Sequence, residues 1–312
     1  MNDRKSVGRR KFSVLLRSCC ITSDAVSLFM GRILFRPHRP ALFRKVACGT
    51  WRTAGDPSVY ALLEIDVAKA LEFSAAYSQT RGVRITPSHL VAKAITHCLV
   101  VRPELNGMLR GGKVHLRQHV SVFFQVNVPG PAANGSPDDR IAKATLSGTT
   151  VHATDTLSLA DIAQAFYRQA AEVKRRRDPA FGPSLRIVSA IPWAWVRTFL
   201  KLAGWLIYGL NLNLGFLGLP RDPFGSVMIS NVGGMGIDVA WAPLVPYSRV
   251  PLLMTLGAIT DKAVVENGEV KVRPILPIGV TFDHRLIDGV HAAQMSAEFK
   301  KCFAEPAKYF GT

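Results

Sequence analysis

Cysteine is sparse in this sequence and suits neither of its two structural uses. The five residues, Cys19, Cys20, Cys48, Cys98 and Cys302, are odd in number and scattered over 312 positions. That excludes a disulfide framework and a CxxC metal site, and it suits a reducing compartment. Internal repeats, low-complexity tracts and collagen-like periodicity are also missing, while 48% hydrophobic and 20% charged residues describe a globular chain able to bury a large core.

An export signal is not expected either. Arg9-Arg10-Lys11-Phe12 superficially resembles a twin-arginine signal, but Arg17 and Asp24 interrupt the apolar run and no small-residue cleavage site follows. A cytoplasmic location is expected, with peripheral membrane association left open. Acidic residues are the other shortage: 22 Asp and Glu face 39 Lys and Arg, for a net charge of +17. The imbalance is steepest over residues 1–52, where twelve Lys and Arg meet two Asp. Residues 1–35 read as a basic arm, which fits an acidic partner, an anionic membrane surface or a phosphorylated ligand, or else a solvated tail.

Strand and helix signals alternate beyond the arm. VYALLEID (59–66) predicts a strand leading into a helix over about 67–80, and Thr86-Pro87 starts a second helix that stops near Pro103. Val120–Val128 predicts a strand, followed by a Gly/Pro/Asn loop over 129–139. Ser158 caps an amphipathic helix running to about Arg177. Further strands are expected at 226–232, 253–259 and 275–282, with a last helix over about 290–303. The interleaving indicates an α/β domain with a mixed sheet.

The stretch 187–219 carries only two charges, Arg197 and Lys201, and includes Trp193, Trp195 and Trp205. Its uncharged run Leu202–Leu219 approaches the length of a membrane span, but four glycines and two asparagines interrupt it. Three readings stand: a buried or subunit-contact element, a membrane-surface element, and a span.

His284 carries the chemistry. It follows the apolar strand Pro277–Phe282 in the run Asp283-His284-Arg285-Leu286-Ile287-Asp288-Gly289. A strand-to-turn position can hold an imidazole rigidly at the edge of a channel. There it can take the proton of an attacking thiol or hydroxyl, and Asp288 can brace the turn by pairing with a basic residue or backbone amides. An isolated His in a surface turn before an ordinary Asp-Gly is the plainer alternative.

Val280-Thr281-Phe282-Asp283-His284-Arg285-Leu286-Ile287-Asp288-Gly289, followed by a helix and Glu305-Pro306, resembles the end of the catalytic domain of 2-oxoacid dehydrogenase acyltransferases. That family shares its fold with chloramphenicol acetyltransferase and, more distantly, with peptide-synthetase condensation domains. Met228-Ile229-Ser230-Asn231-Val232-Gly233 with Gly236-Ile237-Asp238 resembles the family's Ser-Asn-Leu-Gly turn, and Pro103-Glu104-Leu105-Asn106-Gly107 its turn after the second helix. Asp283, where chloramphenicol acetyltransferases carry a second His, favours the dehydrogenase branch.

The resemblance spans about residues 36–312 and implies a chloramphenicol acetyltransferase-like α/β fold, a two-layer mixed β-sheet with helices, and an acyl-CoA-dependent acyltransferase. It makes His284 the general base, Asp288 its support and Ser230 the donor to the tetrahedral oxyanion. It also implies a homotrimer, or a multiple of trimers, with His and Ser from neighbouring chains. Arg285 is expected to be structural, with Arg44 or Arg52 as a partner for Asp288. Coenzyme A or acyl-CoA is expected as substrate, with no metal, no nucleic acid and no lipoyl group on this chain. Thr260-Asp261-Lys262-Ala263 mimics a lipoylated turn, but Lys262 falls where the family has an ordinary strand connection. No lipoyl or subunit-binding domain is expected ahead of residue 36, and 187–219 reads as an insertion. The acceptor is expected to be a lipoyl-bearing partner or a hydrophobic molecule. A non-catalytic trimeric scaffold and a membrane-surface binding protein remain the alternatives.

Overall fold

A computed structural model describes residues 35–37, 56–128, 145–175, 190–212, 214–215 and 222–311. The basic arm (apart from Phe35), Arg44, Arg52 and the loop at 129–139 lie outside the described residues.

The elements alternate as expected. In chain order they are β1 (Phe35–Pro37), β2 (Ser58–Asp66), α1 (Ala68–Arg81), α2 (Pro87–Val101), β3 (Gly107–Arg110), β4 (Lys113–Arg117), β5 (Val122–Val128), β6 (Thr145–Val151) and α3 (Leu159–Lys174). Then follow α4 (Trp193–Gly204), β7 (Val227–Asn231), β8 (Leu252–Leu256), β9 (Thr260–Glu266), β10 (Glu269–Asp283), α5 (Gly289–Ala304) and α6 (Pro306–Phe310). Two caps read from sequence are formed. Ser158 Oγ accepts from the Asp161 amide at 3.2 Å, and Asp161 returns a bond to Ser158, closing a capping box on α3. Thr86 caps α2 with Pro87 in its first turn.

The main sheet has seven strands in the order β2-β10-β8-β7-β5-β6, with β9 on the first half of β10. The β5–β7 and β7–β8 pairs are parallel and the others antiparallel, so the sheet is mixed. A smaller sheet, β1-β4-β3, lies apart. Helices cover one face. Leu90, Ile95 and Leu99 of α2 and Phe299 and Phe303 of α5 join Phe124, Met254, Ile278 and Phe282 of the strands in one core. Ten of the fifteen α2 residues are buried, so α2 is the central helix of this layer.

On the other face an extended segment crosses the sheet. The Ala240 carbonyl accepts from Thr255 Oγ1, and a Cβ at Gly279 would lie 2.0 Å from that same carbonyl. Only glycine lets the backbones approach so closely.

Three elements depart from the sequence reading. The β3–β4 hairpin turns on Gly111-Gly112, both with positive φ. β9 and the first half of β10 form a second hairpin on Asn267-Gly268, φ 56° and 83°. Thr260–Ala263 therefore opens a strand, and Lys262 lies within that strand in an ion pair with Glu64 Oε1 at 2.5 Å. Within 187–219, α4 is a twelve-residue helix that continues into a wider turn at Trp205–Gly209. Among the described residues no helix is long and apolar enough to cross a membrane.

Candidate active site

The turn bearing His284 is held from three sides. Its amide donates to Pro57 O at 3.0 Å, and the Asp283 amide before it donates to Pro251 O at 2.9 Å. The entries to β2 and β8 therefore fix the exit of β10. Beyond it, the amides of Leu286 and Ile287 both donate to Asp283 O, and their side chains are buried. Apolar burial thus anchors the far side of the turn.

Asp283 and Arg285 bracket the histidine and bind each other. Arg285 Nη2 donates to Asp283 Oδ2 at 2.7 Å and Nε to Oδ1 at 2.9 Å, while the Arg285 amide reaches the same Oδ1 at 3.0 Å. This bidentate pair around a buried carboxylate stiffens the backbone on both sides of His284. It gives Arg285 the structural place expected of it. His284 is half-buried between them.

Asp288 braces the turn through backbone and a side chain. Its carboxylate caps α5, accepting from the His291 amide at 2.9 Å, and His291 Nδ1 lies 2.5 Å from the same oxygen. Of the expected supports, this is the backbone amide, with His291 as the basic group.

Ser230 sits elsewhere. It lies in β7 beside Thr255 of β8, which is opposite Gly279 of β10, so the three share one row across the sheet. Asn231 and Gly233 shape the following turn: Asn231 Oδ1 accepts from the Gly234 amide at 3.2 Å, and a Cβ on Gly233 would meet Gly257 O at 2.3 Å. From this row to His284 the path runs five residues along β10 and two strands across. At about 3.3 Å per residue and about 4.8 Å per strand, that is on the order of 20 Å. One copy of the chain does not bring His284 and Ser230 together.

A cleft of about 690 Å³ lies beside the turn, lined among others by Pro57, Leu109, Arg249, Asp283 and Arg285. The sequence reading missed Arg249. Its available signal was isolation, for it is the sole charge between Asp238 and Asp261.

Fold and turn together describe an α/β domain with a mixed sheet and a histidine-bearing turn at the end of β10, and comparison with known proteins shows what it is similar to. Residues 224–311 match the family model for the 2-oxoacid dehydrogenases acyltransferase catalytic domain, and that stretch carries both Ser230 and His284. The sequence is similar to the dihydrolipoyllysine-residue acetyltransferase component of the Bacillus subtilis pyruvate dehydrogenase complex, at 33% identity over 81 residues, 26% of this chain and 18% of that protein. It is also similar to a probable dihydrolipoyllysine-residue succinyltransferase of Schizosaccharomyces pombe, at 32% over 100 residues, 32% of this chain and 22% of that one. The chain thus spans about a fifth of the length of these curated relatives. In structure it resembles the dihydrolipoamide acetyltransferase of Azotobacter vinelandii, with TM-score 0.58 and 18% identity, covering 88% of this chain and 99% of that one. A probable dihydrolipoamide acetyltransferase of Listeria monocytogenes gives 0.54 and 14%, covering 86% and 94%. The fold is shared well beyond the residues whose sequence matches.

Proposed function

We propose that this chain is an acyltransferase that moves an acyl group between coenzyme A and a thiol or hydroxyl acceptor, at sites completed between copies in a trimer. His284 of one copy removes the acceptor's proton. The freed sulfur or oxygen bonds to the thioester carbonyl carbon, and the resulting oxyanion receives a hydrogen bond from Ser230 of the neighbouring copy. Collapse breaks the carbon–sulfur bond, and the coenzyme A thiolate leaves with the proton held by His284. Asp288 acts through the turn, as the cap of α5.

The observation that carries this reading is a firmly held turn bearing His284, whose neighbours Asp283 and Arg285 line a cleft, with Ser230 about 20 Å away in the same chain. A shared role for the two then calls for a second copy. The spacing agrees with a relative. Work on the Azotobacter vinelandii enzyme concerns a serine, a histidine 52 residues later and an asparagine four residues after that. Here a histidine follows Ser230 by 54 residues and Asp288 follows that histidine by four.

The test is thiol release from acetyl-CoA and longer acyl-CoAs, comparing wild type with His284→Ala across dihydrolipoyl and hydrophobic acceptors. Turnover that depends on His284 supports the reading, and its absence with every donor and acceptor sinks it. On this proposal the donor side is coenzyme A and the acceptor is a separate lipoyl-bearing partner or a hydrophobic molecule.

The exposed Trp195 and Leu202 on α4 and Trp205 in the wider turn that follows, beside Arg197 and Lys201, favour a peripheral position at an anionic membrane surface as a second reading. Vesicle flotation of a chain lacking 187–219 tests it, and unchanged flotation would refute it.

A further inference from the structure

A second cleft, of about 620 Å³, lies between α4 and the segment that leads into β8. Val196, Leu200 and Gly204 of α4 and Pro246 of the segment give it apolar walls. Arg197, Lys201 and Arg249 give it three cations, and among the described residues no carboxylate lines it.

Arg249 is held there by strained backbone and directed contacts. Its φ is 54°, in the left-handed region that side-chain-bearing residues rarely adopt. Its Nη1 donates to Leu109 O at 2.9 Å, and its guanidinium lies 4.8 Å from the centroid of the buried Tyr208 ring. One hydrogen bond uses one of five N–H donors, and the rest keep their capacity for an oxyanion. Burial first, and then its cationic neighbours Arg285 and Arg110, pull its pKa below the ordinary value against an opposing effect of Tyr208. A half-buried cation among cations gains most from an anionic ligand, with which a guanidinium forms charge-assisted bonds.

We propose that this cleft binds an anionic amphiphile, its carboxylate or phosphate on Arg249 with Arg197 and Lys201 beside it, and its apolar body along Val196, Leu200 and Pro246. Pro246 and Arg249 also line the cleft beside His284, so the two clefts meet at this segment. That adjacency makes an amphiphile that also carries a thiol or hydroxyl the acyl acceptor, its sulfur or oxygen bonding to the acyl carbon as coenzyme A leaves as the thiol with the acceptor's proton; this step rests on the acyltransferase reading. Binding itself does not rest on it.

Calorimetric titration of the full chain tests the site. The probes are decanoate and decyl phosphate below their micelle concentrations, with decanol and inorganic phosphate as tail and head alone, and coenzyme A in a separate arm. At least one amphiphile should bind one per chain, and which one binds names the head group. Decanol and phosphate should each bind at least tenfold more weakly. Arg249→Met should weaken the amphiphile at least tenfold. The double variant Arg197→Gln/Lys201→Gln, at exposed positions, should lose severalfold even if Arg249→Met folds poorly. His284→Ala should bind as wild type does. The proposal is overturned if neither amphiphile binds, or if the Arg249 and double variants bind like wild type. It is overturned equally if coenzyme A alone binds and Arg249→Met abolishes that binding. Amphiphile binding without acyl-CoA turnover would retain the site and remove the transferase reading. His284-dependent turnover without amphiphile binding would do the reverse.

Discussion

A mixing experiment tests most directly whether His284 and Ser230 work together across copies. His284→Ala and Ser230→Ala each remove one of the two groups, so neither homotrimer holds an intact site. The loss on removing one oxyanion donor is typically about 10²–10³ in turnover. Suppose that each site takes His284 from one chain and Ser230 from the next around a three-fold axis. A trimer containing both kinds of chain then has one interface where a chain with intact His284 meets a chain with intact Ser230, and two interfaces where something is missing. Random assembly from equal amounts makes three quarters of trimers mixed, with one good site in three, so activity should return to about a quarter of wild type in the unfractionated mixture and about a third in purified mixed trimers. Co-expression of the two variants under different affinity tags, sequential purification of the mixed species and thiol release from acyl-CoA would read this out. The structural basis is the row Ser230–Thr255–Gly279, which stops five residues short of His284. If purified mixed oligomers show no more activity than the single variants, the shared-site argument fails, whatever the activity of wild type.

Other predictions concern the scaffold. His89 is fully buried among Phe124, Phe166 and Tyr167, and burial pulls its pKa down to about 4. A lowered folded value means that its contribution is complete above the ordinary value of 6.5 and is lost as pH falls from there toward 4. Urea unfolding should therefore show wild type losing about 2 kcal/mol between pH 7 and pH 5 that His89→Leu does not lose, and parallel curves would contradict this. Arg117 is buried, donating to Asp222 at 2.7 and 3.1 Å and to Gly107 O at 2.9 Å, so Asp222→Ala strands a charge. It should cost about 3–5 kcal/mol in the same assay, and a change below about 1 kcal/mol would show the pair to be dispensable. Burial pushes the Cys302 thiol up to about 12 and raises Cys98 further still. Mass mapping after iodoacetamide should find both unmodified in the native protein and alkylated in denaturant.

Much of the helical layer was legible because its signals are local. Thr86-Pro87 and the Ser158 capping box sit where helices begin, and the structure starts α2 and α3 there. The His284 turn was legible for a related reason: strand, Asp-His-Arg and Asp-Gly are contiguous, so sequence order nearly equals spatial order. The second hairpin was missed although Asn267-Gly268 is a strong turn signal. Thr260–Ala263 had drawn attention as a lysine-bearing turn, and the alternating valines of β9 and β10 face solvent at Val265, Val270 and Val272 rather than a core.

By itself the sequence determined the α/β class, the starts of α2 and α3 and the side chains that the turn Asp283-His284-Arg285 brings together. Each depends on near neighbours along the chain: periodicity, capping hydroxyls, or a turn closed within a few residues. Only the tertiary structure decided that Arg285 chelates Asp283, that Ser230 lies a sheet's breadth from His284, and that Arg249 faces α4 with Arg197 and Lys201. Those relations depend on strand register and on which segment crosses which face. Both are settled by burial of the whole sheet, not by any stretch of it.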